Sequence, residues 1–107
     1  MTPDELAWLQ TWYQAQCDGD WEHSYGIRVD TLDNPGWSVK IDLKGTDLEH
    51  EPMPPSFRDD GPDDWIRLEV KDGQFLGHGA PSKLACILGA FREWALAIQS
   101  KNESTSS

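Results

Sequence analysis

Leu6, Leu9, Tyr13 and Cys17 recur at helical spacing, with Trp8 and Trp12 beside them and Gln10, Thr11 and Gln14 on the other side. At about 100° per residue these positions form one apolar stripe, which the two tryptophans widen to roughly half the circumference. The spacing predicts a helix over residues 3–16, with Thr2 as N-cap, Pro3 at the first helical position and Glu5 completing a capping box. So wide an arc implies deep burial, or one edge covered by something else. The period then changes to two. Tyr25, Ile27, Val29 and Thr31 alternate with Gly26, Arg28 and Asp30, and Trp37, Val39, Ile41 and Leu43 alternate with Ser38, Lys40 and Asp42. Between these strands, Asp33-Asn34-Pro35-Gly36 makes a turn, so the two pair as a hairpin.

Leu48 marks a short third strand, and residues 49–64, interrupted by Pro52, Pro54, Pro55 and Pro62, read as a long irregular loop. Such loops are usually functional or mobile. Ile66, Leu68 and Val70 alternate with Arg67, Glu69 and Lys71, and Asp72-Gly73 turns that strand tightly into Gln74, Phe75 and Leu76. Gly77-His78-Gly79 ends a strand packed closely on the last helix. That helix runs from residue 81 or 82 to about residue 99, with Leu84, Ile87, Leu88, Phe91, Trp94, Ala95 and Ile98 on a core-facing stripe. Residues 101–107 are polar and read as a disordered tail. The expected architecture is α+β over residues 1–100: an antiparallel β-sheet of about four to six strands with an N-terminal and a C-terminal helix packed on it.

The 107 residues suit one domain. The longest apolar run, residues 84–91, falls short of the ~20 residues a membrane helix needs. The first residues, Met-Thr-Pro-Asp-Glu, lack the features of a secretory signal, so the expected location is cytoplasmic. Nineteen acidic and nine basic residues leave a formal charge of -10, which argues against nucleic acid or an anionic membrane as partner and favours a basic protein. The charge is local. Asp18, Asp20, Glu22, Asp30 and Asp33 face only Arg28 within residues 18–33, and Asp47, Glu49, Glu51, Asp59, Asp60, Asp63 and Asp64 face only Arg58 within residues 47–64. Outside these two stretches acids and bases cancel. Two readings stand side by side: solvated loops that keep a small protein soluble, or an electronegative face that steers a cationic macromolecule.

Tests for chemistry come out negative. Cys17-Asp18-Gly19-Asp20-Trp21-Glu22-His23 fails as a calcium loop, because the glycine falls at the second position instead of the sixth and Val29 stands at the twelfth, where a glutamate should. Cys17 follows a helix C-terminus beside Asp18 and Asp20, all of which oppose a thiolate. Cys17 and Cys86 are expected to be reduced thiols, and with His23, His50 and His78 they show no zinc spacing. Gly77-His78-Gly79 is too short to cradle a phosphate. No metal and no cofactor are expected.

These residues carry a resemblance. Trp8-Leu9-Gln10 with Trp12-Tyr13, Cys17 through His23 leading to Tyr25-Gly26-Ile27, and Thr31-Leu32-Asp33-Asn34-Pro35-Gly36-Trp37 make the chain similar to the immunity protein 53 family of bacterial polymorphic toxin systems. Weaker similarity continues through Ile41-Asp42-Leu43, Asp64-Trp65, Phe75-Leu76-Gly77 and residues 91–94. The resemblance implies a small cytosolic protein, encoded beside a toxin, that binds the toxin domain and blocks it. It implies no catalytic residue. Where the toxin is a nuclease, its cleft is basic and an acidic inhibitor suits it. The candidate partner-binding residues are Asp18, Asp20, Glu22, His23, Asp33, Asp59, Asp60, Asp63 and Asp64, with Trp37 and Trp65 as aromatic anchors. Trp21, Glu22, Asn34, Pro35, Gly36 and Trp37 equally suit fixing a turn and packing a helix. The alternatives are a generic acidic interaction module or nucleic-acid mimic, and a small enzyme dependent on the Cys17 thiol or on carboxylates near His23.

Overall fold

The computed structural model describes residues 4–105. Helix α1 (Asp4–Gln16) is followed by one helical turn, α2 (Trp21–Ser24), then strands β1 (Ile27–Leu32), β2 (Gly36–Asp42), β3 (Ser56–Asp59), β4 (Trp65–Lys71) and β5 (Gln74–Gly79), and finally α3 (Leu84–Thr105). The strands form one antiparallel sheet in the order β1-β2-β5-β4-β3. The fold is α+β, as the period change along the chain requires. The capping residues Thr2 and Pro3 lie outside the described residues.

Both predicted hairpins form in register. Ile27 pairs with Ile41 and Leu32 with Gly36 around the Asn34-Pro35 turn. Val70 pairs with Phe75 around Asp72 and Gly73, both at positive φ as a tight two-residue turn needs. Because successive side chains alternate between faces, Ile27, Val29, Val39, Ile41, Phe75, Ile66, Leu68 and Val70 share one face, and all but the edge residue Val29 join the core beneath the helices. Val39, Ile41, Leu43, Phe75, Ile87 and Phe91 are sealed from solvent there. A Cβ on Gly77 would lie 2.4 Å from Ile87 Cγ2, and one on Gly79 would lie 2.8 Å from Lys83 Cβ. Glycine at these two positions is what lets α3 settle on the backbone of β5. α1 joins this layer through aromatic edges: Phe91 meets Trp8 at 5.8 Å, Trp12 at 5.1 Å and Phe75 at 5.1 Å, and Trp12 meets Trp21 at 6.2 Å. Edge-to-face pairs of this kind contribute about 0.5–1.5 kcal/mol each beyond their burial.

Several expectations need correction. The buried line of α1 is Leu9 and Trp12, flanked by Trp8, whereas Leu6 and Tyr13 stay exposed, because α3 meets α1 on its tryptophan side. Leu48 forms no strand. It is buried from a run of turns in which Thr46 N–H donates to Leu43 O and Glu49 N–H to Thr46 O. The supposed loop over residues 49–64 contains β3, which pairs with β4 from Ser56 opposite Leu68 to Asp59 opposite Trp65. α3 starts later than expected, at Leu84, and continues to Thr105, so residues 101–105 are helical where a disordered tail was expected. Polar Lys101 can occupy a helix whose core contacts end at Ile98, since nothing in its side chain opposes the helical backbone.

Candidate functional site

No helix among the described residues covers the second face of the sheet. It presents Arg28, Asp30 and Leu32 of β1, Ser38, Lys40 and Asp42 of β2, Gln74, Leu76 and His78 of β5, Trp65, Arg67, Glu69 and Lys71 of β4, and Phe57 and Asp59 of β3. Arg28, Lys40, Arg67 and Lys71 stand among Asp30, Asp42 and Glu69, so the middle of this face carries no excess of acid. His78 is held below the usual imidazole range, first by partial burial and then by the Arg67 and Lys40 cations, and it faces Ser38 and Arg67 across the ladder.

One concentration of acid sits at the end of the sheet that Trp65 marks. β1 leaves and β2 enters through the turn at Asp33, Asn34 and Pro35, and β3 leaves and β4 enters through residues 60–64; antiparallel pairing puts both turns on the same side of the sheet. They converge on Trp65. Its ring lies over Gly36, where a Cβ would come 3.3 Å from Trp65 Cζ2 and 2.5 Å from the Gly79 carbonyl oxygen. Glycine at the start of β2 thus lets the first turn lean across the end of β5. Asn34, Phe57, Asp59, Gly61, Pro62 and Trp65 line an open pocket of about 480 Å³. Trp65 is half-buried, and Phe57 is 64% exposed, the most exposed large apolar residue of the described chain.

The acidic turn is built rather than slack. Asp60 N–H donates to Asp64 O at 2.8 Å, Asp64 N–H to Gly61 O at 3.1 Å, and Gly61 N–H to Asp59 Oδ1 at 3.1 Å, with Gly61 at φ 137° where a side chain would strain the backbone. Arg58 Nε reaches Asp60 Oδ2 at 2.7 Å, and Lys83 Nζ reaches Asp64 Oδ1 at 2.8 Å. The Lys83 ammonium holds the Asp64 carboxyl below the usual range. Two of the candidate carboxylates are therefore partly neutralised at home, while Asp33 and Asp63 have no ion-pair partner among the described residues.

The other candidates lie elsewhere. Asp18 Oδ1 accepts the N–H groups of Asp20 and Trp21, each at 2.9 Å, which lowers its pKa, and the Glu22 carboxylate accepts those of Asp18 and Gly19 at 2.9–3.1 Å. These bonds fold the link from α1 to α2 and set Trp21 into the core, where its indole N–H donates to Lys44 O at 2.8 Å. Asp20 and His23 are exposed beside it. Trp37 is committed to packing: its ring joins the core from the helix face, and its indole N–H donates to Pro81 O at 2.8 Å. The link from α1 to α2 enters β1 at Gly26, opposite Asp42, whereas the acidic turns begin beyond Gly36, about 20 Å along the same strands. Each acidic stretch is thereby divided: Asp33 of the first lies with residues 59–64 of the second, whereas Asp18, Asp20 and Glu22 lie at the other end of the sheet.

Phe57 was not legible, because two prolines precede it and suggest a loop; the one signal was a lone phenyl amid Ser56, Arg58 and Asp59. Both cysteines are exposed free thiols, and Cys17 Sγ–H points at Tyr13 O, 3.4 Å away. Among the described residues no group of three or more His, Cys, Asp or Glu is placed to hold a metal ion, and no helix is long and apolar enough to cross a membrane. No curated protein and no solved structure matches the chain. The profile of the immunity protein 53 family matches residues 6–96, so the chain belongs to that family, a membership that implies an immunity protein whose partner is a cognate toxin.

Proposed function

We propose that the chain neutralises a basic toxin domain of a polymorphic toxin system, within the cytoplasm, by seating the acidic end of its open sheet face in the toxin's cationic cleft. The observation that carries this reading is the pocket that Asp59, Trp65 and the exposed Phe57 line between the turn of Asp33 and Asn34 and the turn that bears Asp60, Asp63 and Asp64. Carboxylates at the rim attract a cationic surface from beyond contact range and raise the association rate. A half-buried indole and an exposed phenyl supply the desolvated centre on which interface energy concentrates. The hydrogen-bonded turn of residues 60–64 holds its acids in place before the partner arrives, which lowers the ordering cost of binding. A cleft built for phosphates, as in a nuclease, matches such carboxylates in sign and spacing. Asp18, Asp20 and Glu22 add to the long-range field from the far end of the sheet, His23 stands exposed beside them, and Trp37 supports the fold beneath the turn. Inhibition of this kind is stoichiometric and needs no cofactor.

The test uses the toxin domain encoded by the adjacent gene, with rates measured by surface plasmon resonance across salt concentrations. Asp59→Asn with Asp63→Asn slows association and flattens its salt dependence, while Trp65→Ala speeds dissociation by roughly 30-fold or more, as loss of a central aromatic anchor does. Association that ignores salt, or a Trp65→Ala protein that dissociates like the wild type, overturns the reading.

A further inference from the structure

The two edges of the sheet are not alike. β3 has four residues, with Pro54 and Pro55 before it and Pro62 after it, which blunts that edge against further pairing. β1 has six residues, no proline, an unbroken register with β2 and exposed side chains from Arg28 to Thr31. Asp42 N–H donates to Gly26 O, so the even-numbered residues of β1 turn their backbone groups toward β2, and Ile27, Val29 and Thr31 turn theirs to the open side. Three residues therefore offer N–H and C=O groups that no described residue pairs, on an edge that no strand among the described residues covers. Val29 is 44% exposed there, and Tyr13, itself exposed, lines with Leu9, Gly26 and Ile27 a shared groove between α1 and the start of β1.

We infer that β1 pairs antiparallel with β1 of a second copy of this chain about a two-fold axis at Val29, joining two sheets into one. The charges select this register. Only registers that set outward-facing residues opposite one another make ladder bonds. Centring on Val29 places Val29 opposite itself, Ile27 opposite Thr31, and Arg28 opposite Asp30 of the second copy, twice over by symmetry. Shifting toward the start of β1 sets Arg28 against Arg28, and shifting the other way sets Asp30 against Asp30. Like charges directly opposite are destabilising and opposite charges stabilising, so one register is favoured and both neighbours are penalised. The apolar Val29 pair lies on the helix face, the face on which α1 meets the start of β1. A two-fold interface of one patch with itself is the commonest solution for soluble oligomers. β1 lies at the edge opposite β3, so Phe57 and Trp65 stay accessible in the pair.

Sedimentation velocity of the full chain over a concentration series tests this. The wild type sediments at twice the chain mass, and Arg28→Glu and Asp30→Arg, each alone, sediment as monomers with unchanged circular dichroism. Mixing these two single variants restores the dimeric mass, because both cross-strand pairs then carry opposite signs. Val29→Lys is monomeric and folded, since its N–H makes no bond to β2. A monomeric wild type at every concentration, a dimer indifferent to both charge reversals, or a mixture that stays monomeric overturns the inference. So does a monomeric wild type whose toxin binding is lost on Val29→Lys, which assigns this edge to the toxin.

Discussion

Gly36→Ala ties the fold to the site more directly than any other single change. The new methyl carbon would stand 2.5 Å from the Gly79 carbonyl oxygen and 3.3 Å from Trp65 Cζ2. Even a favourable C–H···O approach needs about 3.3–3.6 Å between carbon and oxygen, leaving a deficit of roughly 0.8–1.1 Å. The obstacle on the β5 side is backbone, so no rotamer relieves it; the first turn must lift from the end of β5, carrying Trp65 with it. Overpacking of this kind costs about 1–3 kcal/mol, and each kcal/mol lowers the Tm of a domain this size by about 4–8 °C. Gly26→Ala is the matched reference, because nothing lies within 4 Å of its would-be Cβ and its φ is not positive. Thermal unfolding followed by circular dichroism should place Gly36→Ala well below the wild type and Gly26→Ala within a few degrees of it. Below both midpoints, toxin association by Gly36→Ala keeps its rate, since the carboxylates remain, but dissociation quickens as the indole is displaced. Equal midpoints for the two variants would refute the claim that close approach of β2 to β5 dictates glycine at position 36.

Three further outcomes follow from the same geometry. His78 is held below its ordinary value, so as pH falls through about 6.5 the unfolded chain takes up a proton the folded chain resists, and stability drops; His78→Gln should flatten the Tm-versus-pH curve between about pH 7 and 5, and parallel curves would count against the Arg67–Lys40 field. Asp64 is lowered by Lys83, so its contribution is present above the ordinary carboxylate range and fades as pH falls. Lys83→Met should move the Asp64 carboxyl titration upward in an NMR pH series, and an unmoved midpoint would deny the bridge. Trp21→Phe keeps an apolar ring but removes the donor to Lys44 O, and orphaning that carbonyl costs about 1–3 kcal/mol in a urea titration; an unchanged midpoint would mean that water replaces the indole.

Alternation and periodicity are local properties, and what depended on them could be read along the chain. Both hairpins, the turn chemistry at residues 33–36 and 72–73, the core stripe of α3 and the close seat of Gly77 and Gly79 under it follow from spacings of two and about 3.6. β3 escaped because prolines bracket it, and a four-residue strand carries too few alternations to register. Which side of α1 is buried also escaped: six apolar residues ring more than the contact surface, and only the position of α3 picks Leu9 and Trp12 over Leu6 and Tyr13.

The sequence by itself determined that the molecule is α+β, strongly acidic in two stretches, and similar to immunity proteins. Only the tertiary structure decided that each stretch is divided, Asp33 of the first joining residues 59–64 of the second. β5 inserts between β2 and β4, an order no local spacing encodes, and this places the turns after β1 and β3 together around Trp65 and Phe57. The Asp18–Glu22 carboxylates meanwhile bind their own backbone at the far end of the sheet. Charge is a sum over residues and survives any rearrangement of the chain, whereas a patch is a matter of distances, and distances exist only once the strands have paired.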